Sequence, residues 1–179
     1  LTGGGAAGTD TISGFESIEA TTQADVIIGD ANDNLFVYTG GDDSMDGGAG
    51  VDTVRFLTSA SVNLITGTGS SFGSDFTVAG IENIIGVSEA VGNDANNRIE
   101  GRVAGDILSG GGGDDIIIGL GAQDLIDGGA GIDISVYSMA STSSTWFRNP
   151  LGSWTVFNST DPPIHSAAAG ATEPDFVAS

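Results

Sequence analysis

The sequence predicts an all-β fold: a right-handed parallel β-roll, which is a solenoid of nonapeptide repeats, with a C-terminal β-hairpin cap. Three observations predict it. Glycine- and aspartate-rich nonapeptides recur in phase, an apolar residue follows each repeated acid at a fixed distance, and two aromatic segments near the C-terminus flank a turn. A helical repeat is disfavoured because glycine costs about 1 kcal/mol relative to alanine inside a helix.

The repeat has the pattern G-G-x-G-x-D followed by a short apolar stretch, and segments 47–55, 110–118 and 128–134 match it closely. Position six carries an acid or its amide in two in-phase blocks: Asp25, Asn34, Asp43 and Asp52 in the first, and Asn97, Asp106, Asp115, Asp124 and Asp133 in the second. Position eight is apolar in every copy except the last, which has Ser135: Ile27, Phe36, Met45, Val54, Ile99, Leu108, Ile117 and Ile126. The constant phase indicates one repeated structural unit.

Each nonapeptide accommodates one turn and one strand. The first six residues form a tight turn, in which glycine permits positive φ and close approach of the backbone. The last three form a strand, so that position eight points inward while its neighbours face outward. Two nonapeptides complete one coil, and successive coils stack at about 4.7–4.9 Å, the ordinary spacing of strands.

Stacking brings the position-six acids of alternate repeats together. The expected pairs are Asp25 with Asp43, Asn34 with Asp52, Asn97 with Asp115, Asp106 with Asp124, and Asp115 with Asp133. Paired acids repel unless a cation lies between them, and Ca²⁺ takes about 6–8 oxygen ligands from carboxylates and backbone carbonyls. The sequence therefore predicts several Ca²⁺ ions, held by these acids and by the turn glycines Gly48, Gly50, Gly111, Gly113, Gly129 and Gly131. Sites that include Asn34 or Asn97 are expected to be weaker, because an amide oxygen carries no charge.

Composition narrows the function classes. The chain has 24 Asp and Glu against 4 Lys and Arg, for a net charge of −20, which argues against nucleic-acid binding and against adhesion to anionic membranes. There is no cysteine and no apolar run of membrane-spanning length. Zinc is less suitable than calcium because it prefers nitrogen and sulfur ligands, and magnesium because it demands near-ideal octahedral geometry. A cation is the natural source of the missing positive charge.

A longer period divides the chain. Segment 10–18 resembles segment 75–84 with a one-residue insertion, which indicates two copies of a larger module. We expect a first module at 1–91, truncated at its start and with a spacer at 56–91, a second nonapeptide block at 92–138, and a capping hairpin and mobile tail at 139–179. Glu16 and Glu82 occupy equivalent module positions and could cap a turn or add a calcium ligand. The truncated start indicates flanking domains of a larger parent protein.

The spacer contains no nonapeptide. Val62 and Leu64 predict a strand, and the glycine- and serine-rich run at 67–74 predicts a loose loop. The spacer could leave the roll or continue it with longer turns. We favour continuation, because Ile81, Ile84 and Ile85 supply inward-facing candidates.

The C-terminal segment differs from the repeats. Residues 146–148 and 153–157 flank a four-residue turn at 149–152, which predicts a β-hairpin that contains both tryptophans. It could present an aromatic surface to a carbohydrate or a protein partner. We favour a cap, because the last coil of a solenoid exposes apolar surface and unpaired strand edges.

The nonapeptides resemble the RTX (repeats-in-toxin), haemolysin-type calcium-binding family, most closely in segments 47–55 and 101–136. The resemblance implies a parallel β-roll, secretion through type I secretion machinery, and folding triggered by extracellular calcium. The chain departs from the pattern at position two (Ala6, Asp30, Thr39 and Arg102) and at position four (Asn32, Ala104 and Ala122). Those loops are expected to bind calcium weakly or not at all.

No catalytic constellation is visible, so we expect no enzyme activity from this chain. One histidine, His165, and no cysteine leave few nucleophile–base pairs. No Gly-Lys-Ser/Thr sequence accompanies the glycine loops, which excludes a phosphate-binding P-loop. The rival hypotheses are a non-catalytic accessory domain of an exported hydrolase, lyase or epimerase, and an adhesin, surface-layer or ice-binding module.

Overall fold

The computed structural model describes residues 15–121 and 123–136, together with the backbone of two strands at 144–148 and 154–158. All of its regular elements are strands, and they form a parallel β-solenoid with two sheets. Sheet A runs in the order β1 (Ser17–Glu19), β3 (Leu35–Tyr38), β5 (Thr53–Phe56), β9 (Asn83–Ile85), β11 (Arg98–Glu100), β13 (Ile116–Ile118) and β15 (Ile134–Val136). Sheet B runs in the order β2 (Val26–Ile28), β4 (Ser44–Asp46), β8 (Ser74–Ala79), β7 (Thr68–Ser71), β6 (Ser61–Asn63), β10 (Glu89–Val91), β12 (Ile107–Ser109), β14 (Leu125–Asp127), β17 (Trp154–Asn158) and β16 (Ser144–Arg148).

Strand pairing confirms that two nonapeptides make one coil. Within each block, every strand pairs in parallel with the strand one coil later, as Val26 with Ser44 and Ile116 with Ile134. The central residue of each repeat strand is buried, except at Ser135 in β15, which is only partly buried. The predicted inward residues are all confirmed as core: Ile27, Phe36, Met45, Val54, Ile99, Leu108, Ile117 and Ile126.

The spacer continues the roll, as favoured, but its predicted loose loop is wrong. On sheet A, β9 pairs with both β5 and β11, and the predicted inward residues Ile81 and Ile84 are buried while Ile85 is only partly so. On sheet B, the run at 67–74 contains β7, which pairs antiparallel with β6 on one side and β8 on the other. Gly69 makes this possible, because a Cβ there would overlap the ring of Phe76.

This antiparallel insertion makes sheet B wider than sheet A. One coil requires one strand between β4 and β10, but three lie there, which adds two strand spacings, or about 10 Å. Three aromatic rings fill the interior at this level. Tyr38, Phe56 and Phe76 are buried, with ring centroids 4.8–5.3 Å apart. Large aromatic side chains therefore fill the core at the level where sheet B has more strands than sheet A.

The C-terminal hairpin forms as two antiparallel strands, β16 and β17, in the register Arg148 opposite Trp154. β17 also pairs antiparallel with β14, so the hairpin extends sheet B at the end of the roll. The predicted turn at 149–152, the tail from 161 and His165 lie outside the described residues, as do the side chains of the hairpin. Within the described part of the chain, no helix is long and apolar enough to cross a membrane.

Candidate metal centre

The loops before the strands stack along two edges of the roll. Edge A precedes the sheet A strands and carries the position-six residues Asn34, Asp52, Asn97, Asp115 and Asp133. Edge B precedes the sheet B strands and carries Asp25, Asp43, Asp106 and Asp124.

Every expected pair is brought together, and each pair is joined in the same way. The backbone N–H of the earlier residue donates to Oδ1 of the residue eighteen positions later. The N···O distances are 2.9 Å for Asp25–Asp43, 2.7 Å for Asn34–Asp52, 2.7 Å for Asn97–Asp115, 3.1 Å for Asp106–Asp124 and 3.1 Å for Asp115–Asp133. The acids therefore form a ladder along each block.

Most of the ladder acids are buried and none of them forms an ion pair, although the positive charge of Arg102 acts on Asp106. Asp43, Asp52, Asp106 and Asp115 are at most 2% exposed, and each has one carboxylate oxygen with no hydrogen-bond partner. The one ion pair within residues 15–121 and 123–136 is Arg98–Glu100, away from the ladder. A buried carboxylate with an unpaired oxygen is costly unless it is protonated or contacts a cation.

Burial also perturbs the titration of these groups. It raises the pKa of Asp43 and of Asp124 to about 6, with a smaller contribution from the neighbouring ladder acid in each case. It raises the pKa of Asp115 as well, and the charges of Asp133 and Asp114 add to the effect. Desolvation thus favours the neutral form of Asp43, Asp115 and Asp124 when no cation is bound.

The glycine turns bring each loop close to backbone oxygens of the loop stacked beside it. At Gly48, with φ of 90°, a Cβ would lie 2.5 Å from the carbonyl oxygen of Asp30 in the loop one coil earlier. At Gly113, with φ of 97°, a Cβ would lie 2.7 Å from the carbonyl oxygen of Ala95. The same positive φ occurs at the other predicted turn glycines, Gly50, Gly111, Gly129 and Gly131.

These donors fit calcium. In residues 15–121 and 123–136, no three Asp, Glu, His or Cys side chains form a metal-binding cluster. What each pair of stacked loops offers is two position-six side chains and nearby backbone carbonyls. Oxygen-only donors of mixed carboxylate and carbonyl type suit Ca²⁺, which tolerates irregular geometry, better than zinc.

The loops fall into two conformations that depend on position two. Where a side chain replaces glycine there, the backbone N–H usually turns inward and donates to the loop's own position-six oxygen. Four bonds of this kind lie within residues 15–121: Thr21 to Asp25 at 2.7 Å, Asp30 to Asn34 at 3.0 Å, Asn93 to Asn97 at 2.9 Å, and Arg102 to Asp106 at 2.6 Å. We call these four self-capped loops. In them, one candidate ligand oxygen already accepts a hydrogen bond.

Sequence reasoning missed three position-two residues. Thr21 and Asn93 place loops 20–25 and 92–97 among the self-capped loops. Leu120 adopts φ of 71°, so its loop keeps the left-handed conformation of the glycine turns despite a bulky side chain. All three residues were visible as position-two departures from the repeat pattern, although the conformation of Leu120 was not.

Comparison with known proteins agrees with this geometry. A family model for the RTX calcium-binding nonapeptide repeat matches in four copies, over residues 10–43, 91–122 and 101–134. No curated protein matches the chain. Segment 47–55 lies outside the matched residues, although its loop and strand have the same geometry as the matched copies. Segments 10–43 and 91–134 of this chain therefore match the RTX calcium-binding nonapeptide repeat in four copies.

Proposed function

We propose that this chain is a calcium-binding β-roll module of a secreted bacterial protein, and that it folds and is stabilised on extracellular Ca²⁺. The observation that carries the proposal is the set of buried, unpaired carboxylate oxygens on stacked loops, in a region with no neutralising ion pairs. We further propose that the module is not catalytic and that it works beside other domains of a larger protein.

The proposed ligands are the position-six residues and the turn glycines. Loops 110–115 and 128–133 combine glycine at positions two and four with an acid at position six on both sides of one inter-loop space. We therefore expect the tightest site between Asp115 and Asp133. Sites bordered by a self-capped loop should be weaker, because a bound ion must compete with an existing hydrogen bond.

Calcium would act by offsetting two costs of folding. Without the ion, the ladder acids repel one another, and 30 glycines lose much conformational entropy on folding. With the ion, its binding free energy adds to the folding free energy. Extracellular calcium modules often have dissociation constants of about 10⁻⁴–10⁻³ M, which would keep the chain unfolded in the cytosol and folded outside.

Circular dichroism tests this proposal. The chain should be largely disordered in chelator and should gain β-structure on titration to millimolar calcium, with equal magnesium as the control. An unchanged, folded spectrum in chelator would contradict calcium-triggered folding.

Export through type I secretion machinery is a separate proposal. It is supported by the RTX repeats and by the calcium dependence expected of them. Fusion of the chain to a type I secretion signal should permit export from cells with low internal calcium, whereas prior folding in calcium should block it. Equal export of the folded and unfolded forms would contradict this coupling.

A further inference from the structure

The spacer inserts one short loop into the stack on edge A. Strand β9 pairs with β5 through Asn83 opposite Thr53, and with β11 through Asn83 opposite Arg98. The residues immediately before Thr53, Asn83 and Arg98 are therefore also in register, which places Glu82 between Asp52 and Asn97. Glu82 thus occupies the ladder position that an aspartate holds in a nonapeptide.

Gly80 reproduces the role of a position-one glycine. In the second block, a Cβ at Gly110 would contact both Oδ2 of Asp115 in its own loop and the carbonyl of Gly128 one coil later. A Cβ at Gly47 would likewise contact Oδ2 of Asp52, at 2.5 Å, and the carbonyl of Gly80. The two stacks therefore share one backbone arrangement.

The backbone hydrogen bonds repeat as well. The Gly110 N–H donates to Asp127 O at 2.8 Å, and the Gly47 N–H donates to Ala79 O at 2.9 Å. Segment 80–82 thus continues the stack with three residues in place of six.

The extra methylene of glutamate compensates for this shorter turn. Oε2 of Glu82 accepts the backbone N–H of Asp52 at 2.9 Å, which is the bond that Oδ1 of the next ladder acid accepts elsewhere. The partners here are 30 residues apart in sequence, whereas ladder partners within the blocks are 18 apart. A side chain from the unmatched spacer thus takes the place of a repeat aspartate.

Independently of the register, one carboxylate oxygen of Asp52 is buried without a hydrogen-bond partner. The residue is 0% exposed, and the unpaired oxygen is Oδ2. Both this oxygen and the Gly80 carbonyl lie beside Gly47, where each would contact an added Cβ. No described Lys or Arg forms an ion pair with either acid. Two carboxylates, one with a buried and unpaired oxygen, thus lie on adjacent stacked loops, as Asp115 and Asp133 do.

We propose that Asp52 and Glu82 bind a Ca²⁺ ion between the first nonapeptide block and the spacer, with backbone carbonyls of segments 47–52 and 80–82 as further ligands. The inference rests on the proposed calcium binding of the repeat blocks and extends it to a residue outside them. Because Asn97 Nδ2 donates to the Glu82 carbonyl at 2.9 Å, this site links the first block to the second along edge A, so that the two blocks fold as one cooperative unit.

The test is Glu82→Gln, which keeps an oxygen for the Asp52 N–H and removes only the charge. Glu89→Gln is the matched control, because Glu89 is an exposed spacer glutamate on β10 whose carboxylate accepts only the Ser61 hydroxyl, at 3.2 Å. Calorimetric titration with calcium should give one ion fewer per chain for Glu82→Gln, or at least a tenfold weaker site, and no change for Glu89→Gln. The calcium-dependent folding transition should also split into two in Glu82→Gln only.

The outcomes separate the inference from the function on which it rests. No calcium binding by the unaltered chain would overturn both. Normal binding with identical stoichiometry and affinity in Glu82→Gln would overturn only the inference. Anomalous scattering from calcium-grown crystals of the unaltered chain decides independently of how the variants fold: a peak bonded to Asp52 and Glu82 supports the site, and its absence beside peaks at Asp115–Asp133 refutes it.

Discussion

Asp115 offers the sharpest test of the ladder because it belongs to two pairs. Its Oδ1 accepts the Asn97 N–H, and its own N–H donates to Asp133. The substitution Asp115→Asn keeps the size and an acceptor oxygen, but it removes one charge from two inter-loop spaces. Asp133→Asn also removes one charge, but within the described residues it affects only the inter-loop space between Asp115 and Asp133.

The structure sets the expected ratio. A site saturated at 100 times its dissociation constant adds about 2.7 kcal/mol to the free energy of unfolding. Loss of two such sites in Asp115→Asn should therefore cost up to about 5 kcal/mol. Loss of one site in Asp133→Asn should cost less than that but at least half as much, because the site between Asn97 and Asp115 is the weaker of the two. In chelator the sign reverses for Asp115→Asn, because a buried and partly unpaired carboxylate is replaced by a neutral amide.

Urea unfolding at millimolar calcium, followed by circular dichroism, measures the first effect, and the residual β-signal in chelator measures the second. Glu19→Gln is the control, because it removes one negative charge from an exposed position on β1. Equal losses for Asp115→Asn in calcium and in chelator would mean that Asp115 acts only as a backbone cap. Equal losses for Asp115→Asn and Asp133→Asn in calcium would refute the two-site assignment.

Three further predictions follow from other parts of the roll. In chelator, the residual structure should be most stable below about pH 4 and should weaken as the pH rises through about 6, because burial raises the pKa of Asp43 from 3.8 to about 6. A pH titration of the circular dichroism β-signal measures this, and a signal that increases with pH would contradict it. Gly113→Ala should weaken calcium binding and destabilise the fold more than Gly73→Ala does, because both glycines have positive φ but only at Gly113 would the new Cβ crowd a neighbouring carbonyl. Equal effects of the two substitutions in calorimetry and thermal melting would refute crowding as the cause. Phe76→Ala should lower the free energy of unfolding measured in urea by about 3–5 kcal/mol, whereas Phe72→Ala should lower it little, because the Phe72 side chain is 85% exposed. Equal losses would argue against the aromatic cluster as part of the core.

The repeat core and the acid pairs could be predicted because they depend only on periodicity. A period of nine residues with two strands per coil determines which residues meet eighteen positions later, so Ile117 and the pair Asp115–Asp133 followed from counting. No side-chain detail was needed, since strand alternation and constant coil length fix the register.

The spacer sheet could not be predicted because its strand β7 carries no apolar alternation. Thr68, Gly69, Ser70 and Ser71 read as a loop, and they form a strand because β6 and β8 satisfy their backbone groups from both sides. The loop conformations were also hidden. Nothing local to Leu120 indicates a left-handed residue, which is uncommon outside glycine.

The two sheets have different numbers of strands between the repeat blocks, and this explains why the ladder continues on edge A of the roll and stops on edge B. On edge A, β9 is the only strand between β5 and β11, so Glu82 connects the blocks across two strand spacings, about 10 Å. Its side chain accepts the Asp52 N–H, and its backbone carbonyl accepts a hydrogen bond from Asn97 Nδ2. On edge B, four strands separate β4 from β12, or about 24 Å, and the residue in register with Asp43 is Phe76. An acid there would have no partner within reach, and the buried ring instead fills the wider core. The insertion that widens sheet B therefore ends the edge B ladder, and any calcium-mediated coupling between the blocks must pass along edge A.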